Sequence, residues 1–142
     1  MTLEAWVNPQ TVSNAWRDVI YKGNDNYYLE ATSSNGRPAG GGTFGTGGGT
    51  SKTFGASPLA VNTWTHLAVT YNGTTLSLYV NGILISSRAQ SGNVATSVNP
   101  LEIGGDAIFG QYFSGVIDEL RVFNVARTQA QVQSDMTTPL AN

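Results

Sequence analysis

The chain has 142 residues, enough for one domain with a buried core, and a formal net charge of −2. Only 11% of its residues are charged, against roughly 25% in an average globular protein, and its few basic residues are scattered. With no basic cluster, no cysteine and no apolar run near ~20 residues, the sequence excludes a nucleic-acid partner, disulfides, thiolate zinc sites and a membrane span.

Alternating apolar residues predict three short strands in the first part of the chain. We place them at Leu3–Val7, Asp18–Lys22 and Tyr27–Thr32, with turns of Asn, Asp, Gly and Pro between them. Because the first strand follows Met1 almost at once, we expect no signal sequence in this chain.

The stretch 40–49 is rich in glycine and has two interpretations. It is either a flexible loop or a flat pair of small-residue strands on which another element packs closely. We favour the loop.

The clearest local pattern is a three-stranded antiparallel meander in the middle of the chain. Two alternating runs, Thr65–Tyr71 and Thr75–Val80, are separated by Asn72-Gly73. A second turn, Asn81-Gly82, leads into a third run that begins at Ile83. Asn-Gly pairs tolerate the positive φ angles that two-residue hairpin turns need, so each pair predicts a hairpin.

The C-terminal part is predicted to contain a short strand at 100–104, a longer one at Phe113–Phe123, and a helix. Thr128 and Gln131 have the spacing of a capping box, which predicts a short helix ending near Met136. Many short strands with regularly spaced turns are typical of a β-sandwich.

Within the longer strand, Ile117 and Leu120 both need burial, yet residues three apart on a regular strand face opposite sides. A β-bulge at Asp118-Glu119 would place them on one face. His66 is the only histidine and lies within an alternating strand, so we expect a structural role, and we assign Trp6 and Trp64 to the core as well.

Three motifs together carry a family resemblance: residues 3–7, residues 64–73 followed by 78–82, and residues 115–124. They resemble the laminin-G-like domains of the concanavalin A-like lectin/glucanase superfamily, and pentraxins have a related layout. The resemblance covers nearly the whole chain. It implies one all-β domain over 1–142, a two-sheet antiparallel jelly-roll sandwich with one short C-terminal helix, at an extracellular or cell-surface location.

The chain departs from this family at its front, where relatives usually have one or two strands before the segment equivalent to Leu3–Val7. Without them, we expect that strand to be an edge that is shortened, covered by the C-terminus, or paired with another chain. We therefore expect a homo-oligomer, or a partner, that uses the N-terminal strand edge.

Some relatives are glycoside hydrolases with two working carboxylates in a Glu-x-Asp-x-x-Glu pattern on one strand. Residues two apart share a face, as retaining hydrolysis requires. No two acidic residues of this chain are spaced in that way, so we expect no enzyme activity.

Six residues are candidate ligand-binding residues because loop aromatics beside polar side chains are what a sugar site needs. They are Trp16, Arg17, Tyr27, Tyr28, Asp106 and Tyr112. Anchoring of the loops explains each aromatic residue equally well when it is taken alone. For Asp106, which follows Gly104-Gly105, we favour stabilisation of its own turn.

The resemblance also implies a structural calcium ion, because an aspartate matching Asp118 often binds Ca²⁺ on the outer face of the sandwich. Hard cations need several oxygen ligands, and backbone carbonyls can complete the shell. For Asp118 we favour the other interpretation, a bulge whose carboxylate is hydrogen-bonded.

We expect a non-catalytic binding module, whose partner is a glycan or an extracellular protein. The alternative is a structural module that assembles through an exposed strand edge, and a glycoside hydrolase is the third option.

Overall fold

The computed structural model describes residues 1–45 and 49–141. These residues form ten strands and one helix. The elements are β1 (Thr2–Pro9), β2 (Arg17–Lys22), β3 (Tyr27–Thr32), β4 (Ala39–Phe44), β5 (Gly49–Phe54), β6 (Thr65–Tyr71), β7 (Thr75–Val80), β8 (Ile83–Ala89), β9 (Leu101–Ile103), β10 (Gly115–Phe123) and α1 (Gln129–Thr137). No helix in the described residues is long and apolar enough to cross a membrane.

The strands form two antiparallel sheets that pack face to face. Sheet A has the order β10-β1-β6-β7-β8, and sheet B has the order β5-β4-β3-β2-β9. Alternate residues of both sheets, such as Leu3 and Leu67 from sheet A and Leu29 from sheet B, meet in one buried core. The all-β jelly-roll sandwich with a short C-terminal helix is therefore confirmed.

The local turn chemistry explains why the predicted meander forms. The bounds of β6 and β7 match the prediction, and Asn81 and Gly82 adopt φ angles of 50° and 72°. Both values lie in the left-handed region that a two-residue hairpin turn requires. At the other turn, the side-chain oxygen of Asn72 accepts the backbone N–H of Thr75 at 2.8 Å.

The prediction of a loop at 40–49 is wrong for the part of it that the structure describes. Residues 40–44 belong to β4 and Gly49 begins β5, while residues 46–48 lie outside the described residues. A β-carbon on Gly40 would lie 2.6 Å from Cβ of Val69 in sheet A, so only glycine lets the sheets approach this closely. The interpretation as closely packed, small-residue strands is therefore correct.

The expected free edge at the N-terminal strand does not exist. β1 lies inside sheet A, paired with β10 on one side and β6 on the other. The C-terminal part of the chain covers it, which was one of the three alternatives, and the backbone groups of β1 are used within the sheet. The N-terminal strand therefore cannot serve as the pairing edge of an oligomer.

The bulge predicted in the last strand is present. Asp118 pairs with Trp6 and Arg121 pairs with Glu4, so two residues of β10 lie opposite one residue of β1. Glu119 has a φ of 51° and its backbone N–H donates to Oδ1 of Asp118 at 2.8 Å. As a result Ile117 and Leu120 both pack against the core.

Helix α1 closes the outer face of sheet A. Thr128 and Gln131 form the predicted capping box at its start. Val132 is fully buried against the sheet, and the indole N–H of Trp6 donates to the carbonyl of Met136 at 3.1 Å. This contact makes Trp6 a structural residue.

His66 is also structural, as predicted. Its ring is fully buried beneath this helix and meets the Trp6 ring edge-on at 5.4 Å. Burial and the nearby Arg121 guanidinium lower the pKa of His66 to about 4. The assignment of Trp64 to the core is wrong, because this side chain lies before β6 and is 43% exposed.

A buried ion pair connects sheet A to the end of α1. Glu4 is fully buried, and its carboxylate lies 3.8 Å from Nη1 of Arg121 without a hydrogen bond. Arg121 also donates to the carbonyls of Asp135 and Thr138 and to the Glu119 carboxylate. One guanidinium therefore binds the end of the helix and reduces the cost of ionising Glu4, although burial still raises the pKa of Glu4 to about 7.

Replacing this arginine should be strongly destabilising. At pH 8.5, where Glu4 is ionised, we expect Arg121→Ala to lower the free energy of unfolding by about 3 kcal/mol, since Glu4 would remain buried without a counter-charge. Adding Glu4→Gln should recover part of that loss, because the orphaned charge disappears. Urea denaturation checks both, with Arg88→Ala at an exposed position of β8 as the control. Equal losses for Arg121→Ala and Arg88→Ala would contradict this account.

Candidate functional site

A cavity lined by aromatic and charged side chains lies on the outer face of sheet B, which no helix covers in the described residues. It has a volume of about 230 Å³. Its lining combines aromatic and polar side chains, among them Trp16, Asp25, Tyr28, Glu30, Lys52 and Phe109. A cavity of this composition suits a small polar ligand with some apolar surface.

An irregularity in β2 brings the polar residues of the cavity together. Asp18 pairs with Glu30 and Ile20 pairs with Leu29, so Val19 is an extra residue in β2. Val19 and Ile20 both enter the core, while Asp18 lies beside Glu30 on the outer face. Without the extra residue, the alternation would not place this carboxyl beside its neighbour.

Aromatic rings form a continuous row across the same face. Trp16 meets Tyr28 edge-on at 6.0 Å, Tyr28 stacks on Tyr21 at 6.4 Å, and Tyr21 meets Phe109 edge-on at 6.4 Å. Tyr21 and Tyr28 are buried, whereas Trp16 is half-buried and Phe109 is 52% exposed. The buried tyrosines therefore form the middle of the row, and Trp16 and Phe109 are the rings that solvent reaches.

A glycine makes room for this row. A β-carbon on Gly41 would lie 2.6 Å from the Tyr28 hydroxyl oxygen, so β4 can have no side chain where the tyrosine crosses it. The neighbouring strand contributes Lys52, whose ammonium lies 5.3 Å from the centre of the Trp16 ring. This cation–π contact orients both side chains at the cavity wall.

Three buried carboxyl groups extend from the cavity into the protein: Glu30, Asp18 and Asp106, each no more than 1% exposed. In residues 1–45 and 49–141, no backbone N–H, hydroxyl or basic side chain donates to either oxygen of Asp18 or to Oε2 of Glu30. Asp18 lies within hydrogen-bonding reach of both other carboxyl groups. Because two carboxylates cannot donate to one another, each contact requires a shared proton.

The pKa values follow from this arrangement. Burial, and then the charge of Asp18, raise the pKa of Glu30 well above its usual range. Burial raises the pKa of Asp18 to about 7, with a further contribution from its contact with Asp106. Burial would also raise the pKa of Asp106, but the backbone N–H groups of Phe109 and Gln111 hold that pKa below its ordinary value.

Of the three carboxyl groups, Asp106 is therefore the one that stays ionised. It also organises the loop after β9. Its carboxylate accepts the backbone N–H of Phe109, and that of Gln111 at 3.1 Å. This agrees with the interpretation of Asp106 as a turn-stabilising residue. As a ligand contact it needs correction, because it is buried at 1% exposure.

The structure brings two of the six candidate ligand residues, Trp16 and Tyr28, into the cavity. Arg17 instead donates to the Trp16 carbonyl at 3.2 Å, and the Tyr27 side chain packs against the core from the opposite face of β3. Tyr112 is 64% exposed and lies beside Gly105, outside the cavity.

Sequence reasoning missed several cavity residues, including Glu30, Lys52 and Phe109. A signal for Glu30 was present, because Tyr28 and Glu30 are two apart on a strand whose Leu29 faces the core. Lys52 lay beyond the glycine-rich stretch that was assigned to a loop, so no strand face was predicted for it.

Asp118 lies far from this cavity in the fold, on β10 of sheet A. It is exposed, and its Oδ1 accepts the Glu119 N–H. In residues 1–45 and 49–141, no group of three His, Cys, Asp or Glu side chains could hold a metal ion. Calcium binding at Asp118 therefore stays a prediction that rests on the resemblance.

The sequence matches, over residues 1–133, the family described as the concanavalin A-like lectin/glucanases superfamily. The chain belongs to this family, as its motifs predicted. Mouse pappalysin-1 is 38% identical over 80 residues, which make up 53% of this chain and 5% of that protein. The chain thus spans only about a twentieth of the length of this curated relative.

Solved structures share the fold. One is a candidate carbohydrate-binding protein of Bacteroides ovatus, with a TM-score of 0.77, 23% identity, and coverage of 93% of this chain and 39% of that one. Another is domain 4 of AbnA, an extracellular arabinanase of Geobacillus stearothermophilus, in complex with arabinotriose. Its TM-score is 0.74 at 22% identity, with coverage of 96% of this chain and 66% of that one.

The three buried carboxyl groups, Glu30, Asp18 and Asp106, should make the fold more stable in mild acid. The folded-state pKa of Asp18 is raised, so its stabilising contribution is complete below its unfolded value and is lost as pH rises through about 7. Glu4, whose pKa burial raises to about 7, adds to the same trend. We expect Tm to fall by at least about 5 °C between pH 6 and pH 8.5.

Asp18→Asn should reduce that fall, because an amide can donate to Asp106 at every pH. Asp118→Asn, at an exposed carboxylate of sheet A, should keep the wild-type slope. Thermal denaturation followed by circular dichroism measures both. Identical slopes for wild type and Asp18→Asn would show that Asp18 does not hold a proton in the folded state.

Proposed function

We propose that this concanavalin A-like domain is a non-catalytic module that binds a carbohydrate in the cavity on the outer face of sheet B. The observation that carries the proposal is the combination of exposed rings and polar groups around one cavity of about 230 Å³. Trp16 and Phe109 offer ring faces to the apolar side of a sugar, while Asp25, Glu30 and Lys52 offer partners for its hydroxyls.

The two solved relatives support the proposal at the level of the fold. One is named for carbohydrate binding and the other is a domain in complex with arabinotriose. Since both are under 25% identical to this chain, the sugar that this domain binds has to be inferred from its own side chains. We propose that the module acts outside the cell, where such glycans are displayed.

The carboxyl pair in the cavity does not support glycoside hydrolysis. A retaining glycosidase needs two carboxyls about 5–5.5 Å apart, both open to the cleft and on either side of the scissile bond. Here Asp18 has no exposed surface and lies behind Glu30, in hydrogen-bonding reach of it. This geometry leaves the second carboxyl unable to touch a substrate, so we propose binding without catalysis.

A structural calcium ion at Asp118 is a separate proposal, drawn from the family resemblance. If it is bound there, adding Ca²⁺ should raise Tm relative to EDTA in the wild type and leave Asp118→Asn unchanged. No difference between Ca²⁺ and EDTA would remove calcium from the description of this domain.

The binding proposal is tested by removing one exposed ring at a time. A glycan array should identify a sugar class, and isothermal titration should then give its Kd. We expect Trp16→Ala and Phe109→Ala each to weaken binding about tenfold or more, because each removes a stacking surface.

Trp64→Ala is the matched control, because Trp64 is 43% exposed and lies outside the residues that line the cavity. It should leave Kd unchanged. Binding that survives Trp16→Ala, or that Trp64→Ala weakens equally, would move the ligand away from this cavity. An array with no bound glycan would favour a protein partner instead.

A further inference from the structure

The three carboxyl groups of Glu30, Asp18 and Asp106 link the cavity to the loop that forms one of its walls. The inference drawn from them rests on the proposed function, in which a sugar binds in this cavity. We propose that Glu30, Asp18 and Asp106 form a proton-dependent latch that holds residues 104–111 against sheet B. While the latch keeps its protons, Phe109 and Gln111 stay in place and the ligand binds. When the protons leave, the wall is released and binding weakens.

The geometry supplies a direct path between the two ends of the latch. Glu30 lines the cavity, Asp18 lies behind it at a pairing position across β2 and β3, and Asp106 lies beyond Asp18. Since Asp106 is the group held ionised by backbone N–H donors, Asp18 must donate to Asp106, and Glu30 to Asp18. The protons therefore run in one direction, from the cavity to the loop.

Apart from the contacts of Asp106, the loop is held by backbone hydrogen bonds at its base and by the Ala107 N–H, which donates to the Glu102 carboxylate at 3.1 Å. Near the tip, Ile108 is 48% exposed and Phe109 is 52% exposed. The Asp106 carboxylate accepts the N–H groups of Phe109 and Gln111, and the Asp18 N–H donates to the Gln111 carbonyl at 2.9 Å. The tip that carries Phe109 is thus positioned by the Asp106 carboxylate, and the contact with Asp18 helps to hold that carboxylate in place.

The charges around the latch favour its protonated form. Asp25, in the β2–β3 turn, raises the pKa of Glu30, and Glu102, in β9, raises the pKa of Asp18. Two further carboxyl groups therefore face the latch. Burial, and then the nearby Asp25 and Glu30, raise the pKa of Tyr28 on β3, so its hydroxyl stays neutral. Among the described residues that line the cavity, Lys52 of β5 is the cation.

Loss of the shared protons would therefore place several negative charges side by side in a buried region. Repulsion between them acts at short range and with little screening by solvent. The element that can yield is the exposed loop, since Asp18 and Glu30 are fixed in paired strands of sheet B. Movement of the loop separates the charges and takes Phe109 away from the cavity.

The direction of the effect follows from the raised pKa values of Asp18 and Glu30. Below about pH 7, Asp18 and Glu30 are protonated and the loop 104–111 is held against sheet B. Above that pH, the loop is progressively released. Binding of a neutral sugar should therefore be favoured by acid.

The test measures Kd for the glycan identified on the array, at pH 5.5 and pH 8.5, in wild type and Asp18→Asn. We expect wild-type binding to be at least about tenfold weaker at pH 8.5. In Asp18→Asn the amide group should donate to Asp106 at both pH values, so Kd should change by less than about twofold between them. Asp118→Asn should behave like the wild type, because it lies on the other sheet.

A second measurement needs no ligand and separates the latch from the proposed function. In ¹H–¹⁵N spectra, the amide signals of Phe109 and Gln111 should shift together between pH 6 and pH 8.5 in the wild type. They should stay constant in Asp18→Asn, whereas Glu30→Gln, which leaves the proton between Asp18 and Asp106 in place, should still show both signals shifting with pH. If no glycan binds at any pH, the proposed function fails while these spectra still decide the latch.

Three results would overturn the latch. The first is a wild-type Kd that is equal at both pH values, together with amide signals that do not titrate. The second is a pH dependence that persists unchanged in Asp18→Asn. The third is a rise in Tm with millimolar Ca²⁺ that Asp18→Asn abolishes, because a cation and not protons would then neutralise the carboxyls.

Discussion

The candidate site depends on one contact, in which the carboxyl groups of Asp18 and Glu30 face each other across β2 and β3 on the outer face of sheet B. Two ionised carboxylates could not be buried side by side without a cation, because neither could donate to the other. The contact exists because Val19 is an extra residue in β2, which keeps Val19 and Ile20 in the core and brings Asp18 beside its partner. Packing in the core thus determines the chemistry of the opposite face.

The domain contains two different solutions to the problem of a buried carboxyl group. On sheet A, Glu4 is compensated by Arg121, whose guanidinium is also fixed to the end of α1. The arginine donates to the end of α1 and to the Glu119 carboxylate, and these contacts fix its position in the fold. On sheet B, the compensation comes from shared protons, and the last carboxyl group of the chain lies at the wall of an open cavity. Both arrangements respond to pH, since burial raises the pKa of Glu4 to about 7 as it does that of Asp18, but only the second lies at the proposed ligand cavity.

Much of the fold could be predicted because its signals are local. The Asn-Gly turns, the capping box at Thr128 and the bulge at Asp118-Glu119 each follow from the conformational needs of a few adjacent residues. The place of β1 inside sheet A could not be predicted in this way, because its pairing with β10 joins residues more than a hundred positions apart. The glycine-rich strand was misassigned for the same reason, since its glycines serve Val69 and Tyr28 on other strands.

The site was predicted only in part, and the physical reason is the same. Trp16 and Tyr28 could be found because loop and strand aromatics are visible in a sequence. The acidic pair could not, because the search was for two carboxyls on a single strand, whereas the structure pairs them across β2 and β3. Burial is what changes their chemistry, and burial is set by the loop at 104–111, whose Asp106 was recognised as a turn residue but not as a neighbour of Asp18.

The glycines of β4 show how the two faces of sheet B are coupled. Gly40 admits Val69 from sheet A into the core, and the next residue, Gly41, admits the Tyr28 hydroxyl on the outer face. A larger side chain at either position would push the strand away from one layer and toward the other. β4 must therefore lack side chains on both faces at this point, so that the core can close on one side and Tyr28 can cross the strand on the other. A cavity with aromatic rings on one side and the Glu30 carboxyl group on another is the consequence of that close packing.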